Sequence, residues 1–299
     1  MKIAFATYSK SPDINYGPNV RDDLLASALR RQGIAVDGAP WDDSTVDWSK
    51  FDGVVLRTTW NYHLRLHDFI KWMNALKLLG VKVFNAPEVV AWNCSKKYLL
   101  ELQQKGVAIP ATRLVSRRTE PVPRFSDIMK RFSVDASRSV VIKPCVSLCA
   151  YETHLVPFKD ADKFQAKFEQ MVRERDVLLQ EFVPEIKTSG EWGLVYLNKV
   201  YSHAVLKLAK TGDFRVQHFH GGTVRHGTPS RAVRDFCDNV MSRLPDDLLY
   251  ARVDVIQRDD GTVLLMEVEL IEPTLFFDAD SSGHSATVLA DEIAHRLYQ

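Results

Sequence analysis

The sequence predicts an α/β protein: a doubly wound parallel sheet at the N-terminus, followed by a strand-rich C-terminal half of α+β character. Strands and amphipathic helical runs alternate through the first ~85 residues, the pattern of a parallel sheet with helices on its faces. From Gly190 onward the chain turns strand-rich. Near the end, Tyr250–Gln257 and Thr262–Leu270 alternate around Asp260-Gly261, a strong turn signal.

The elements follow in order. Lys2–Thr7 reads as a strand, Val20–Gln32 as an amphipathic helix closed by Gly33, Gly53–Arg57 as a strand and Leu66–Leu79 as a helix closed by Gly80. A glycine just past a periodic run is the expected helix stop. A second unit starts near Glu88 with a helix over Lys96–Lys105 stopped by Gly106, and the polar, proline-bearing Ser116–Arg124 reads as a linker. Beyond it come a helix near Phe125–Arg131, a strand Ser139–Lys143, a helix Ala161–Arg173 and a strand Val177–Glu181. A helix near Ala286–Leu297 closes the chain. The expected units are residues 1–88, a small αβ lobe with its linker over 89–185, and a C-terminal lobe over 186–299.

At 299 residues, 45% hydrophobic and 26% charged, the chain has enough apolar side chains for two or three packed lobes, and disorder is not indicated. A net charge of +1 offers no global attraction to nucleic acid or an anionic membrane. The opening residues read as a strand rather than a signal peptide, and no apolar run reaches the ~18 residues of a membrane span. A cytoplasmic enzyme is the expectation. Cys94, Cys145, Cys149 and Cys237 lack metal-type spacing and are expected to be free thiols.

With Asp260-Gly261 at the centre of the turn, Asp254 stands opposite Glu267 and Arg252 opposite Glu269, all four on one face. Val253, Val255, Met266, Val268 and Leu270 then occupy the other face and fix the register by burial. Two carboxylates about 4 Å apart repel by roughly 4 kcal/mol at an effective dielectric near 20, a cost that a cation between them removes. Asp254, Glu267 and Glu269 form an all-oxygen set suited to Mg2+ or Mn2+, whose shell water and phosphate oxygens would complete. The competing reading is a solvated acidic face neutralised by Arg252, and Glu269 either binds metal or pairs with that arginine.

Lys143 ends the hydrophobic strand Ser139–Lys143, where a partly desolvated ammonium can face a phosphate. Leu178–Val183 runs into an acidic turn whose backbone can meet a purine; Glu191, His203, Lys207, Arg215 and the pair Gly221-Gly222 follow. Arg57, Thr58 and Asn61, on a loop after an early strand, suit an anionic small molecule or serve a structural purpose.

This ordered set resembles the ATP-grasp superfamily, in particular its glutathione-synthetase-like branch and the small ligases of the O-ureido-serine cyclo-ligase type known from D-cycloserine biosynthesis. The resemblance runs from about Asn93 to Leu275. It implies a fold whose two lobes sandwich ATP, with Lys96 and Lys143 on the phosphates, Gln180, Glu181 and Val183 at the adenine hinge, Glu191 near the ribose, and Asp254, Glu267 and Glu269 on the metal. Arg215 falls where such enzymes steady the transferring phosphate, with Lys207 and Arg252 beside it. Glu272 and Thr274, with Arg57, Thr58, Asn61, His203, Gly221 and Gly222, are the candidate substrate contacts. Two departures stand out. The phosphate-covering loop Cys145–Thr153 has no glycine, leaving Ser147 as a donor, and Glu269 replaces the usual asparagine.

The implied reaction is carboxylate activation. ATP phosphorylates a carboxylate, an amine attacks the acylphosphate, and ADP and phosphate leave; catalysis is electrostatic more than acid–base. Small amino-acid-like carboxylates and amines are the expected partners, with a homo-oligomeric enzyme. An ATP-grasp kinase, or a ligase acting on a protein or peptide terminus, is the alternative. Specificity is expected in the loops Ser9–Asn19, Trp60–His67 and His218–Arg231.

Overall fold

The structure, a computed structural model, describes residues 1–9, 21–132, 139–217 and 220–299. Val20, loop residues 10–19 and His218 lie outside them.

Lys2–Thr7 (β1), Ala35–Pro40 (β2), Gly53–Leu56 (β3) and Lys82–Phe84 (β4) form a parallel sheet in the order β2-β1-β3-β4. Alternation along β1 and β3 sorts the side chains onto two faces. Ile3, Phe5 and Val55 pack on helix Asp22–Arg31 (α1) and on the final helix, Ser285–Tyr298. Ala4, Ala6, Val54 and Leu56 meet Phe69, Trp72 and Leu76 of Leu66–Leu78 (α2), with Trp41 and Trp48. The small alanines make room for those rings, and burial on both faces explains the continuous apolar runs. β2 and β4 were not expected. Neither alternates cleanly, and β2 contains Gly38 and Pro40, tolerable on an edge strand.

Helices Pro87–Asn93 (α3) and Tyr98–Gln104 (α4) lead into the second sheet, Thr112–Val115 (β5), Val177–Glu181 (β8), Ser139–Pro144 (β6) and His154–Pro157 (β7), antiparallel in that spatial order. Helices Phe125–Lys130 (α5) and Ala161–Glu174 (α6) cover one face. α4 starts at Tyr98 rather than at Lys96, because the Lys96 amide donates to the Cys145 carbonyl.

The third sheet is antiparallel: Thr223–His226 (β11), Val200–Leu208 (β10), Glu191–Leu197 (β9), Tyr250–Gln257 (β12) and Val263–Glu269 (β13). α4 and Arg231–Ser242 (α7) pack on its apolar face through Leu99, Leu102, Val233, Val240 and Met241. α7 was missed within the strand-rich reading; it is amphipathic and begins at Ser230, whose hydroxyl accepts from the Val233 amide.

The β12–β13 pairing matches expectation where it matters, with Asp254 opposite Glu267 and Arg252 opposite Glu269. The turn itself differs. It is a three-residue loop closed by the Arg258 amide on the Thr262 carbonyl, with Gly261 left-handed at φ 87°, and the register changes again between Asp254 and Val255. There a bulge leaves Met266 unpaired, and the two shifts cancel. Met266 therefore lines the cavity instead of the expected core face.

Two buried asparagines join the sheets. Asn85, 1% exposed, donates to the carbonyls of Tyr250 and Leu270 (2.9 and 2.7 Å) and accepts from the Leu249 amide at 2.7 Å. Asn93 bonds Val268 O and Leu270 N, both at 2.9 Å, and the Tyr98 hydroxyl takes the Val268 amide. These side chains satisfy the outer edge of β13.

Asn85→Ala orphans three buried backbone groups, each worth about 1 kcal/mol or more. A loss of about 3 kcal/mol in urea unfolding is expected; an unchanged unfolding midpoint would show that the brace carries no load.

Candidate active site

The uncovered faces of the second and third sheets confront each other across a cavity of about 770 Å3, within the ~300–1,000 Å3 usual for small-molecule sites. Each wall follows from strand alternation. On β6 and β8, Val141, Lys143 and Gln180 point inward while Val140, Ile142 and Leu179 face the helices. On the opposite wall Glu191, Lys207, Arg252, Asp254, Glu267 and Glu269 share one sheet face, and Lys96 enters from the turn before α4.

Asp254, 2% exposed, is the centre of the charged wall. Arg252 grips it with two bonds of 2.9 and 3.1 Å, and Lys207 Nζ lies 2.7 Å from it and 2.6 Å from Glu191. Burial raises the Asp254 carboxyl, but Arg252 and Lys207 outweigh it and hold the group below the usual carboxylate range. Arg252 also donates to Glu269 and, at 3.0 Å, to the Thr274 carbonyl, while Lys96 pairs with Glu267. Glu269 thus stands within reach of the arginine that the sequence offered as its partner. Burial lifts Glu269 to about 7 despite Arg252. Burial, then the neighbouring Glu269 and Glu267 charges, lifts Glu272 well above its ordinary value.

Lys143, on the other wall, and Lys96 shift in opposite directions. Burial and the facing Lys96 charge pull Lys143 down to about 8, and its side chain donates to Gln180 Oε1 at 3.0 Å. Lys96 moves the other way, because Glu267 outweighs its burial. Arg215 lines the cavity in a two-pronged pair with Asp213 (Nη2 to Oδ2, 2.8 Å).

Val183, Glu181, Ser147, Gly222, Glu272 and Thr274 also line the cavity. The Glu181 carboxylate is held by Arg258 at 3.1 Å. The Ser147 hydroxyl donates to the Pro144 carbonyl at 3.2 Å. In its loop Cys149, Ala150 and Glu152 take left-handed φ values of 49°, 58° and 48°. The chain makes glycine-like bends there without glycine, at a conformational cost. Gly222 cannot be replaced in kind: a Cβ would lie 2.1 Å from the Val216 carbonyl oxygen.

Five candidates do not reach the cavity wall: Arg57, Thr58, Asn61, His203 and Gly221. Arg57, 0% exposed, bonds Asp22 at 2.8 Å behind it. Asn61 joins Trp41 Nε1 to Asp42. His203 is buried and donates from Nε2 to the Leu275 carbonyl at 2.9 Å, and burial lowers its pKa.

Sequence reasoning passed over Gly193 and Phe276, and reached Trp60 only as the first residue of the loop Trp60–His67. Gly193 stands opposite Asp254, where a Cβ would come within 3.0 Å of Oδ1. A glycine inside the strand Glu191–Leu197 was the available signal for such close approach. Trp60 brings the loop after β3 into the cavity, and Phe276, left-handed at φ 48°, places its ring 5.5 Å from the Arg252 guanidinium.

Residues 103–282 match the family described as prokaryotic glutathione synthetase, ATP-grasp domain, and residues 3–85 match the N-terminal domain of D-cycloserine synthetase DcsG. Over 286 residues, 91% of this chain and 92% of the other, the sequence is 28% identical to the cycloserine biosynthesis protein DcsG of Streptomyces lavendulae. The crystal structure of D-cycloserine synthetase DcsG superposes with a TM-score of 0.86 at 25% identity, covering 99% of this chain and 100% of that one. D-alanine–D-alanine ligase from Bacillus anthracis, complexed with ATP, shares the fold at a TM-score of 0.71 and 15% identity, covering 100% and 97%. The chain belongs to the prokaryotic glutathione synthetase ATP-grasp family and is an ATP-dependent, ADP-forming ligase that makes carbon–nitrogen bonds in small molecules.

Proposed function

We propose that the protein is a cyclo-ligase of the cycloserine-forming kind, closing an O-ureido- or aminooxy-serine-like amino acid through its own acylphosphate. One observation carries the substrate end of this reading. The N-terminal unit, the part matching the D-cycloserine synthetase N-terminal domain, sends Trp60 into the same cavity as Lys96, Lys143 and the acidic wall.

In this reading Lys96 and Lys143 hold the phosphates, the backbone of Glu181 and Val183 meets the adenine, and Glu191 lies toward the ribose. The substrate carboxylate lies near Arg215, Thr274 and Phe276. Its oxygen attacks the γ-phosphorus and ADP departs. A nitrogen of the same molecule then attacks the acyl carbon and gives up its proton to solvent, and phosphate leaves with the C–O electron pair; with a ureido substrate, water then removes the carbamoyl group from the ring nitrogen. The lysines and arginines match charge that builds on phosphoryl and acyl oxygens. A cytoplasmic location fits the chemistry, since ATP is supplied there; no described helix is long and apolar enough to cross a membrane.

Asp254, Glu267 and Glu269 offer carboxylate oxygens on one face, which fits Mg2+ or Mn2+. Among the described residues no group of three or more His, Cys, Asp or Glu is arranged as a complete metal cage. Mg2+ is usually held by one or two carboxylates plus substrate phosphates. The metal would supply charge neutralisation of the phosphates during transfer. Until then Lys96 occupies Glu267 and Arg252 occupies Glu269.

Three expectations follow. Mn2+ alone binds weakly and ADP tightens it, as water-proton relaxation reads; Glu267→Gln abolishes the tight mode and lowers turnover about a hundredfold or more, with the fold kept by circular dichroism but melting lowered, because buried Lys96 loses its partner. Tight Mn2+ binding without nucleotide would contradict the ion-paired ligand set. Affinity for ATP is flat below pH about 8 and falls above it, because Lys143 has a depressed pKa and the bound phosphate needs its protonated form. Lys143→Arg moves that decline beyond the accessible range in calorimetric titrations, and an identical pH profile would remove Lys143 from the phosphates. Finally, O-ureido-serine alone releases ADP and phosphate together. ADP without phosphate, or a requirement for a second amine, would overturn the cyclo-ligase reading.

A further inference from the structure

Three strands of the second sheet bring Thr112, Gln180 and Lys143 into one row. Thr112 on β5 stands directly opposite Gln180 on β8, and Gln180 stands opposite Val141 on β6, which makes Lys143 its diagonal neighbour. Gln180 is 1% exposed, so its amide can be satisfied only by these neighbours or by a ligand.

The hydrogen bonds run in one direction. Thr112 Oγ1 is 2.7 Å from the Pro110 carbonyl, which can only accept, so the hydroxyl proton is committed there. Its oxygen must then accept from Gln180 Nε2, at 3.0 Å. That orients the amide with Oε1 toward the Lys143 ammonium, also at 3.0 Å. Reversed, the amide would present its NH2 to a cation and lose both bonds. Gln180 is also neutral. A carboxylate there would cancel the lysine's charge, whereas the amide fixes its position and leaves the charge for an anion. The other charged or ionisable groups facing Lys143 are Lys96, Glu267, Glu191 and Cys145.

We propose that Thr112 and Gln180 are a positioning pair that aims the Lys143 ammonium at the nucleotide's phosphates, and that the Gln180 side chain does not read the base. The inference rests on Lys143 as a phosphate-side residue, so its test separates the two. Thr112→Val and Thr112→Ser are made in the native protein and in a Lys143→Met background, and binding of ATP, GTP and a non-hydrolysable ATP analogue is measured by calorimetry with Mg2+. Gln180→Met, which keeps the side-chain length, reads the same quantity should Thr112→Val fail to fold.

A bond aiming a charged donor is worth about a tenfold change in affinity. Thr112→Val and Gln180→Met are therefore expected to weaken ATP roughly tenfold. Thr112→Ser, which keeps the hydroxyl, should stay within about twofold, and the ATP-to-GTP ratio should not move. In Lys143→Met the Thr112→Val change should have no further effect. The same loss in both backgrounds, a changed ATP-to-GTP ratio, or native affinity in Thr112→Val and Gln180→Met would each overturn the positioning role. Undiminished ATP binding by Lys143→Met would instead overturn the phosphate-side reading of that lysine.

Discussion

Asp254 is a buried carboxylate, and the polar face of the five-stranded sheet is built around answering it. Arg252 reaches it from two residues away on the same strand, Lys207 from β10, and Gly193 on β9 leaves the space in which those bonds form. Removing one partner of such a buried set leaves an uncompensated charge at a cost of about 3–5 kcal/mol. The wall is therefore rigid in its charge pattern before any ligand arrives. Glu191, Glu267 and Glu269 are held as side branches of the same network through Lys207, Lys96 and Arg252.

That wall works only if a second one confronts it, and the braces between sheets set the confrontation. Asn85 and Asn93 fix the segment leading to Lys96 against β12 and β13, so a lysine remote in sequence meets Glu267. The Tyr250 hydroxyl lies 2.9 Å from the carbonyls of both Leu56 and Ile271, tying the third sheet to the end of β3. The last helix, beside α1, packs on the N-terminal sheet, so the chain's two ends share one core. Trp60 can enter the cavity because its parent sheet is held there.

The two walls prepare different electrostatics. One pairs Glu191, Asp254, Glu267 and Glu269 with cations; the other presents Lys143 against a neutral amide, with its pKa already lowered by burial. In the proposed reading, an incoming polyanion would meet a cation that has no carboxylate to leave, whereas a divalent metal would meet carboxylates paired with Lys96 and Arg252. That asymmetry would favour nucleotide and metal arriving together over metal arriving alone.

Local periodicity carried much of the fold. The strands Lys2–Thr7 and Val177–Glu181 fall where alternation puts them, and the helices mostly lie within a few residues of expectation, because spacing of apolar side chains depends only on neighbours in the chain. The cross-strand pairs Asp254–Glu267 and Arg252–Glu269 were legible for the same reason. The bulge at Met266 was not, since an inserted residue leaves the apolar alternation of each strand unchanged in kind, and α7 was hidden among strands. Nor could spacing place His203 and Arg57 behind the wall, or turn Gln180 toward Lys143. Those outcomes depend on how three sheets approach one another, through contacts between residues far apart in sequence, and that distance geometry leaves no period in the chain. The sequence by itself determined which side chains share a strand face; the packing of the sheets decided which faces enclose the cavity.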